Sequence, residues 1–266
     1  MCRLLAYLGQ PRSLTSILDE PEHSLIVQSY QPREMTAGVI NADGFGIGWY
    51  HAQQTTAPFT YKNTIPIWND VNLPQLSRYI ESGCILANIR SATEMYSLSL
   101  SNCQPFTHGD ITFIHNGFIH DFRHTLYRSI SDRLPDDIYH LIRGSTDSEH
   151  IFGLFLSYWQ ISHSIAQALK DTLHELSAMA SKTKASFSAN IVVSDGQQLV
   201  ASRYAFPWNG DVTPAPVPSL YWSEANGIMI ASEPFDRQLE QHWHRIPPYS
   251  LMVVSKKLDI SIAPIF

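Results

Sequence analysis

Met1-Cys2-Arg3-Leu4-Leu5-Ala6-Tyr7-Leu8-Gly9 opens the chain. The run from residue 2 to residue 8 has the length and apolar content of a buried strand, and its head is Cys2. Excision of Met1 would give this residue a thiol and a free α-amine together. An α-amine titrates near pH 8 and a thiol near pH 8.5, so close to neutrality the amine is partly neutral and can accept the thiol proton. The same nine residues also read as an ordinary first strand, so residues further along must decide between the two readings.

Working outward, Asp43-Gly44 supplies a turn before Phe45-Gly46-Ile47-Gly48-Trp49-Tyr50-His51, a strand interrupted by glycines. Cys84-Ile85-Leu86-Ala87-Asn88-Ile89-Arg90 is a short apolar run ending in a charge, the pattern of a core strand that delivers its last side chain to a site. Residues 105–119 read as a hairpin turning at Thr107-His108-Gly109-Asp110, with a second turn at His115-Asn116-Gly117. The middle is helical. Ser145 or Thr146 can cap a helix carrying Ile151, Leu154, Phe155 and Tyr158, with Glu149 in the capping-box position. Ile165, Leu169, Leu173, Leu176 and Met179 then mark one apolar helix face over about residues 163–182. Strands return in the last third, around Asp195-Gly196, Asn226-Gly227 and Lys256-Lys257, while the Pro-rich stretch 211–218 reads as a surface loop. Strands, two helices and strands again predict an α+β layered architecture.

Composition narrows the function. The chain has 266 residues, a net charge of −6 and no basic run, which argues against nucleic acid or a membrane surface as partner. No apolar stretch approaches a membrane span and no signal peptide is visible, so a cytoplasmic location is expected. Three cysteines without C-x-x-C spacing argue against a disulfide framework or zinc ribbon. His120 with His124, and His242 with His244, lack the further ligands of a metal set, so neither metal nor cofactor is expected. One domain spanning residues 1–266 and a small-molecule substrate are the default.

Four words then fall in one order: Cys2, Arg90-Ser91-Ala92-Thr93, His115-Asn116-Gly117 and Ser145-Thr146-Asp147-Ser148-Glu149. Together they resemble the class II glutamine amidotransferases, a branch of the N-terminal-nucleophile hydrolases. The resemblance implies a four-layer αββα sandwich, Cys2 as nucleophile, and an oxyanion hole made by the Asn116 side-chain amide and the Gly117 backbone N–H. Acyl transfer from an amide needs those parts on physical grounds as well. A γ-glutamyl substrate also carries an α-carboxylate and an α-ammonium. Arg90 offers a bidentate fork to the first, Asp147 can accept from the second, and Thr93 can add a hydroxyl contact. Structural alternatives stand beside these roles: an Asn-Gly turn, a salt bridge for Arg90, and a helix-start carboxylate for Asp147.

Glutaminases of this family often carry His after the Arg-Ser-Ala-Thr word, where this chain has Glu94. Other stretches, Met1-Cys2-Arg3-Leu4-Leu5, residues 43–50, Asn102-Cys103-Gln104-Pro105-Phe106 and Ala231-Ser232-Glu233-Pro234-Phe235-Asp236, look like the γ-glutamyl hydrolases of ergothioneine biosynthesis. That resemblance implies removal of glutamate from γ-glutamyl-hercynylcysteine sulfoxide. A glutaminase subunit feeding a separate synthase, a catalytically silent binding protein, and the bile-acid or penicillin-type amidases are the alternatives. Tyr204, Trp208, Tyr221 and Trp222 are candidates to line the leaving-group pocket, with packing as their alternative role.

Overall fold

Residues Arg3–Ser13 form the first strand, β1, and the two-residue alternation along it divides the molecule. Leu4, Ala6 and Leu8 enter one apolar layer, with Leu86, Ile114, Val192, Ala201 and Met252. Leu5 and Tyr7 enter another, with Leu14, Ile17, Leu25 and Leu73. β1 runs past the expected end at residue 8 because a register shift between Leu8 and Arg12 lets pairing resume.

The computed structural model describes residues 2–34, 38, 40–51, 57–91, 98–207, 217–235 and 242–266. After β1 come strands β2 (Phe45–Trp49), β3 (Phe59–Asn63), β4 (Glu81–Ile89), β5 (Phe106–His108), β6 (Ile111–Ile119), β7 (Phe187–Ser194), β8 (Leu199–Phe206), β9 (Tyr221–Ser223), β10 (Ile228–Ala231), β11 (Trp243–Arg245), β12 (Ser250–Val254) and β13 (Ile260–Pro264). Helices are α1 (Leu14–Leu18), α2 (Leu25–Tyr30), α3 (Leu73–Tyr79), α4 (Tyr127–Ser131), α5 (Asp136–Tyr139), α6 (Asp147–Ser162) and α7 (Ile165–Thr183). A seven-stranded sheet has the order β11-β9-β10-β1-β4-β2-β3, and a six-stranded sheet the order β13-β12-β8-β7-β6-β5.

The two sheets bury the Leu4–Met252 layer between them. Helices α1, α2 and α3 cover the outer face of the first sheet, and α4 to α7 cover that of the second around Phe113, Phe155, Leu169, Leu173 and Val193. The result is the expected four-layer αββα sandwich. Among the described residues no helix is long and apolar enough to cross a membrane.

Two features of the sequence acquire their reason here. In β2, Phe45 and Ile47 pack outward, while Gly46 and Gly48 take the opposite face. A Cβ at Gly46 would collide with the Gln104 carbonyl, and one at Gly48 would lie 2.9 Å from Pro105 Cγ. These glycines admit the Gln104 carbonyl and the Pro105 ring rather than loosening a strand. At the head of α6, Thr146 Oγ1 accepts the Glu149 N–H at 3.3 Å, as half of a capping box. The Glu149 carboxylate instead accepts from Arg143 N at 2.9 Å and Gly144 N at 2.6 Å.

Candidate active site

Antiparallel pairing of β1 with β4 sets Arg3 opposite Ile89 and Leu4 opposite Asn88. Continuing that register one step beyond the strand ends puts Cys2 opposite Arg90, and both residues line one cleft. The Ser91 N–H points at Cys2 Sγ from 3.5 Å, and Cys2 Sγ lies 3.8 Å from the Ser91 carbonyl oxygen. The other cysteines are unsuited to nucleophilic work. Cys84 is 2% exposed, and burial pushes its thiol up to about 12. Cys103 is fully enclosed, and burial raises its thiol pKa as well.

Arg90 is 5% exposed. Nη1 donates to the Asp43 carbonyl at 3.4 Å, and Nη2 is buried with no partner among the described residues. A guanidinium held this way presents an unspent donor. Across the cleft stands Asp147, the first residue of α6. Its Oδ2 accepts the Ile119 N–H at 2.7 Å and its Oδ1 the Ser148 N–H at 2.7 Å. Ser148 Oγ also lies 3.3 Å from Oδ1, so the open lone pair is on Oδ2, and the group stays an acceptor while its orientation is fixed.

Gly117 lines the same cleft, and here the expected turn is corrected. His115, Asn116 and Gly117 lie inside β6, opposite Ile191, Asn190 and Ala189 of β7. Glycine is required there because a Cβ would collide with the Ser188 carbonyl and with His115 Nε2. His115 is 1% exposed. Its Nε2 lies 3.1 Å from the Ser188 carbonyl oxygen, and its Nδ1 2.9 Å from Ser148 Oγ. A carbonyl only accepts, so Nε2 carries the proton and Nδ1 accepts from the Ser148 hydroxyl. Burial lowers the pKa of this imidazole against the opposing pull of Asp147, which keeps the ring neutral. Gln104 clamps the His115 backbone, donating to its carbonyl at 3.0 Å and accepting its N–H.

Gly117→Ala is expected to force β6 and β7 apart and break the His115–Ser188 contact. The cost should be about 1–3 kcal/mol, as for other overpacked interiors, read as a lower midpoint in chemical denaturation.

Asn116 differs from the other candidates. It is 1% exposed and points from β6 into the layer between the sheets. Its Nδ2 lies 3.1 Å from Ser232 Oγ, and its Oδ1 has no partner among the described residues. Thr93 and Glu94 lie outside the described residues, as do Trp208, residues 211–216 of the Pro-rich stretch 211–218, and Asp236. Tyr204 does not line the cleft. It packs under α7, with its hydroxyl 2.9 Å from Ser177 Oγ. Tyr221 and Trp222 lie on β9 near the outer edge of the first sheet, where the Tyr221 hydroxyl donates to Glu34 at 2.7 Å.

Residues absent from the sequence-based set brace the head of β1. Glu233 is fully enclosed and meets Arg3 Nη2 at 3.0 Å and His23 Nε2 at 2.7 Å. It also accepts the N–H groups of Arg33 and Glu34, both at 2.9 Å. Arg3 Nη1 in turn donates to the Cys2 carbonyl at 3.2 Å. A polar Ser-Glu pair directly after the apolar run Ile228–Ala231 was the available signal, since a carboxylate at the end of a core strand needs buried partners.

Sheet pairing and layering define the fold as the αββα sandwich of the N-terminal-nucleophile hydrolases, with the head of β1 in its cleft. Residues 1–205 match the class II glutamine amidotransferases, and the chain belongs to that family. It is 30% identical to a probable glutamine amidotransferase, DUG3, of Saccharomyces cerevisiae, over all of this chain and 84% of the relative. It is 28% identical to the γ-glutamyl-hercynylcysteine sulfoxide hydrolase of Mycobacterium tuberculosis, over 97% of this chain and 94% of the relative. The fold matches that of a glutamine aminotransferase class-II domain protein from Silicibacter pomeroyi, with a TM-score of 0.70 at 24% identity over 99% of both chains. The family makes the chain an amidohydrolase acting on a C–N amide bond.

Proposed function

We propose that the chain, once Met1 is removed, hydrolyses a γ-glutamyl amide through a thioester on Cys2. The observation that carries this reading is the cleft shared by Cys2, the partly unpaired guanidinium of Arg90, and Asp147. Arg90 takes the substrate α-carboxylate through its free Nη2, and Asp147 accepts from the α-ammonium, so the γ-carbonyl is presented to sulfur. The Thr93 hydroxyl adds a contact to the same head group.

The α-amine of Cys2, directly or through one water, accepts the thiol proton as Sγ bonds to the γ-carbon. The Asn116 side-chain amide and the Gly117 N–H donate to the oxygen that becomes negative. Collapse of the tetrahedral species breaks the C–N bond, and the α-ammonium returns its proton to the leaving nitrogen. Water then adds to the thioester through a second tetrahedral species, releasing glutamate and the thiol. No step calls for a metal or a cofactor.

The substrate we assign is γ-glutamyl-hercynylcysteine sulfoxide, supported by the named mycobacterial relative and the sequence words it shares with that hydrolase group. A second reading, a glutaminase supplying ammonia to a separate synthase, draws support from the name of the yeast relative. Intact mass, followed by product analysis with the sulfoxide and with glutamine, separates them. Loss of Met1 with glutamate released from the sulfoxide alone is the expected result. Release from glutamine alone selects the glutaminase, and retained Met1 with neither product overturns both.

Arg90→Lys keeps a charge but loses the fork. Losing one charge-assisted hydrogen bond of about 1.5–3 kcal/mol corresponds to a fall of roughly 10–100-fold in kcat/KM. Steady-state kinetics should place most of it in KM.

A further inference from the structure

The contacts of Ser232, which lies behind the cleft rather than in its lining, bear on the orientation of the Asn116 amide. Ser232 follows β10, is fully enclosed, and has the Leu4 N–H donating to its Oγ at 3.0 Å. Its own N–H donates to the Leu4 carbonyl at 3.1 Å, so it is stapled to β1 two residues from Cys2. The same Oγ lies 3.1 Å from the amide end of Asn116.

As the side chain stands, Asn116 Nδ2 faces Ser232 and the orphan atom at its other end is Oδ1. That arrangement leaves two unmet needs in a buried layer: among the described residues the hydroxyl hydrogen of Ser232 has no acceptor and Asn116 Oδ1 has no donor. A lone pair at the orphan end would also repel an oxyanion. A 180° rotation of the carboxamide occupies the same volume and reverses both defects. Ser232 then accepts from Leu4 N and donates to Asn116 Oδ1, which leaves only Nδ2 unpartnered, and Nδ2 is a donor.

We propose that the Ser232 hydroxyl is a positioning group that turns the Asn116 amide so that Nδ2, rather than Oδ1, meets the oxyanion. The inference rests on the thioester reading above. The chain Leu4 N–H to Ser232 O–H to Asn116 C=O polarises the amide in the direction that strengthens its N–H as a donor. It also ties the donor to the strand that carries the nucleophile, so both move as one piece.

The experiment pairs kinetics with neutron diffraction of the deuterated, Met1-processed protein. Ser232→Ala should lower kcat by about 10²-fold, the scale of a lost oxyanion donor, with KM changed less than about threefold. Ser232→Thr, which restores a hydroxyl, should recover most of that rate. Asn116→Ala should lose a similar factor, and the double variant no more than Asn116→Ala alone, because Ser232 acts only through Asn116. Losses that multiply in the double variant, or Ser232→Ala with an unchanged kcat, overturn the proposal. The neutron map decides independently of turnover and of whether Thr fits. One deuterium on Ser232 Oγ aimed at Asn116 supports the proposal, and two deuteriums on the Asn116 atom facing Ser232 overturn it. Wild-type protein that releases no glutamate from either substrate would remove the hydrolase reading, while the map would still report which way the amide is turned.

Discussion

Cys2→Ala is expected to reduce glutamate release by about 10⁴-fold or more, the scale of loss when a nucleophile acting in concert with its base is deleted. The fold should be unaffected, because Cys2 is only half-buried and contributes a weak Sγ contact to Ser91. Cys2→Ser should sit between the two: an α-amine can still serve as base, but a hydroxyl is a poorer nucleophile than a thiol. The measurement is steady-state turnover of the substrate identified by product analysis, alongside thermal melts of all three proteins. Equal activity in Cys2→Ala would sink the thioester mechanism outright. A protein that retains Met1 should behave like Cys2→Ala, since its α-nitrogen is locked in a peptide bond.

The second large effect belongs to Glu233. Truncating it to alanine strands the Arg3 guanidinium and leaves the Arg33 and Glu34 N–H groups without their acceptor. Removing one member of a buried ion pair costs about 3–5 kcal/mol, so the denaturation midpoint at pH 7 should fall steeply. pH supplies a second readout. Burial by itself would raise the Glu233 pKa, but the His23 ring, the Arg3 guanidinium and the two N–H donors outweigh it and hold the carboxyl below its usual range. A depressed carboxylate pKa contributes stability that is complete above the unfolded value of about 4.3 and is lost as pH falls through the folded value. Wild type should therefore lose stability below about pH 4.3 more steeply than Glu233→Gln. Superimposable acid limbs for the two proteins would show that the cluster is not a stabilising ion pair.

Much of the layering was legible because it depends on local chemistry. Asp195-Gly196 and Asn226-Gly227 join paired strands, and both glycines adopt positive φ, 84° and 89°, which the dipeptide signals correctly. α7 shows its buried face at helical spacing because its other face meets water. Asn116-Gly117 misleads for the same reason that the others succeed. The dipeptide reports conformational freedom, whereas Gly117 is selected by the Ser188 carbonyl pressing against it, a neighbour 71 positions away in the chain. Ser232 and Glu233 escaped the site assignment on similar grounds. Leu4 and Arg3 are brought to them by the β1–β10 pairing, Asn116 by the facing sheet and His23 by the segment before α2, and no local pattern encodes any of these approaches. Cys2, Arg90, Gly117 and Asp147 could be picked out because each stands at the head or end of a recognisable element or in a distinctive word. Their convergence on one cleft is a matter of register.

The layered build has a mechanical corollary. Cys2 is carried by one sheet and Asn116-Gly117 by the other, so in the mechanism proposed above the gap between attacking and stabilising groups is gauged by the thickness of the hydrocarbon between the sheets: Leu4, Leu86, Ile114, Val192 and Met252. Facing sheets stand about 10 Å apart, and a misplacement of about 1 Å at a reacting centre can cost on the order of 10²-fold in rate. Under that mechanism the aliphatic filling is the spacer that sets the reactive distance, and its side-chain volumes belong to the calibration of the site as much as the charges in the cleft do.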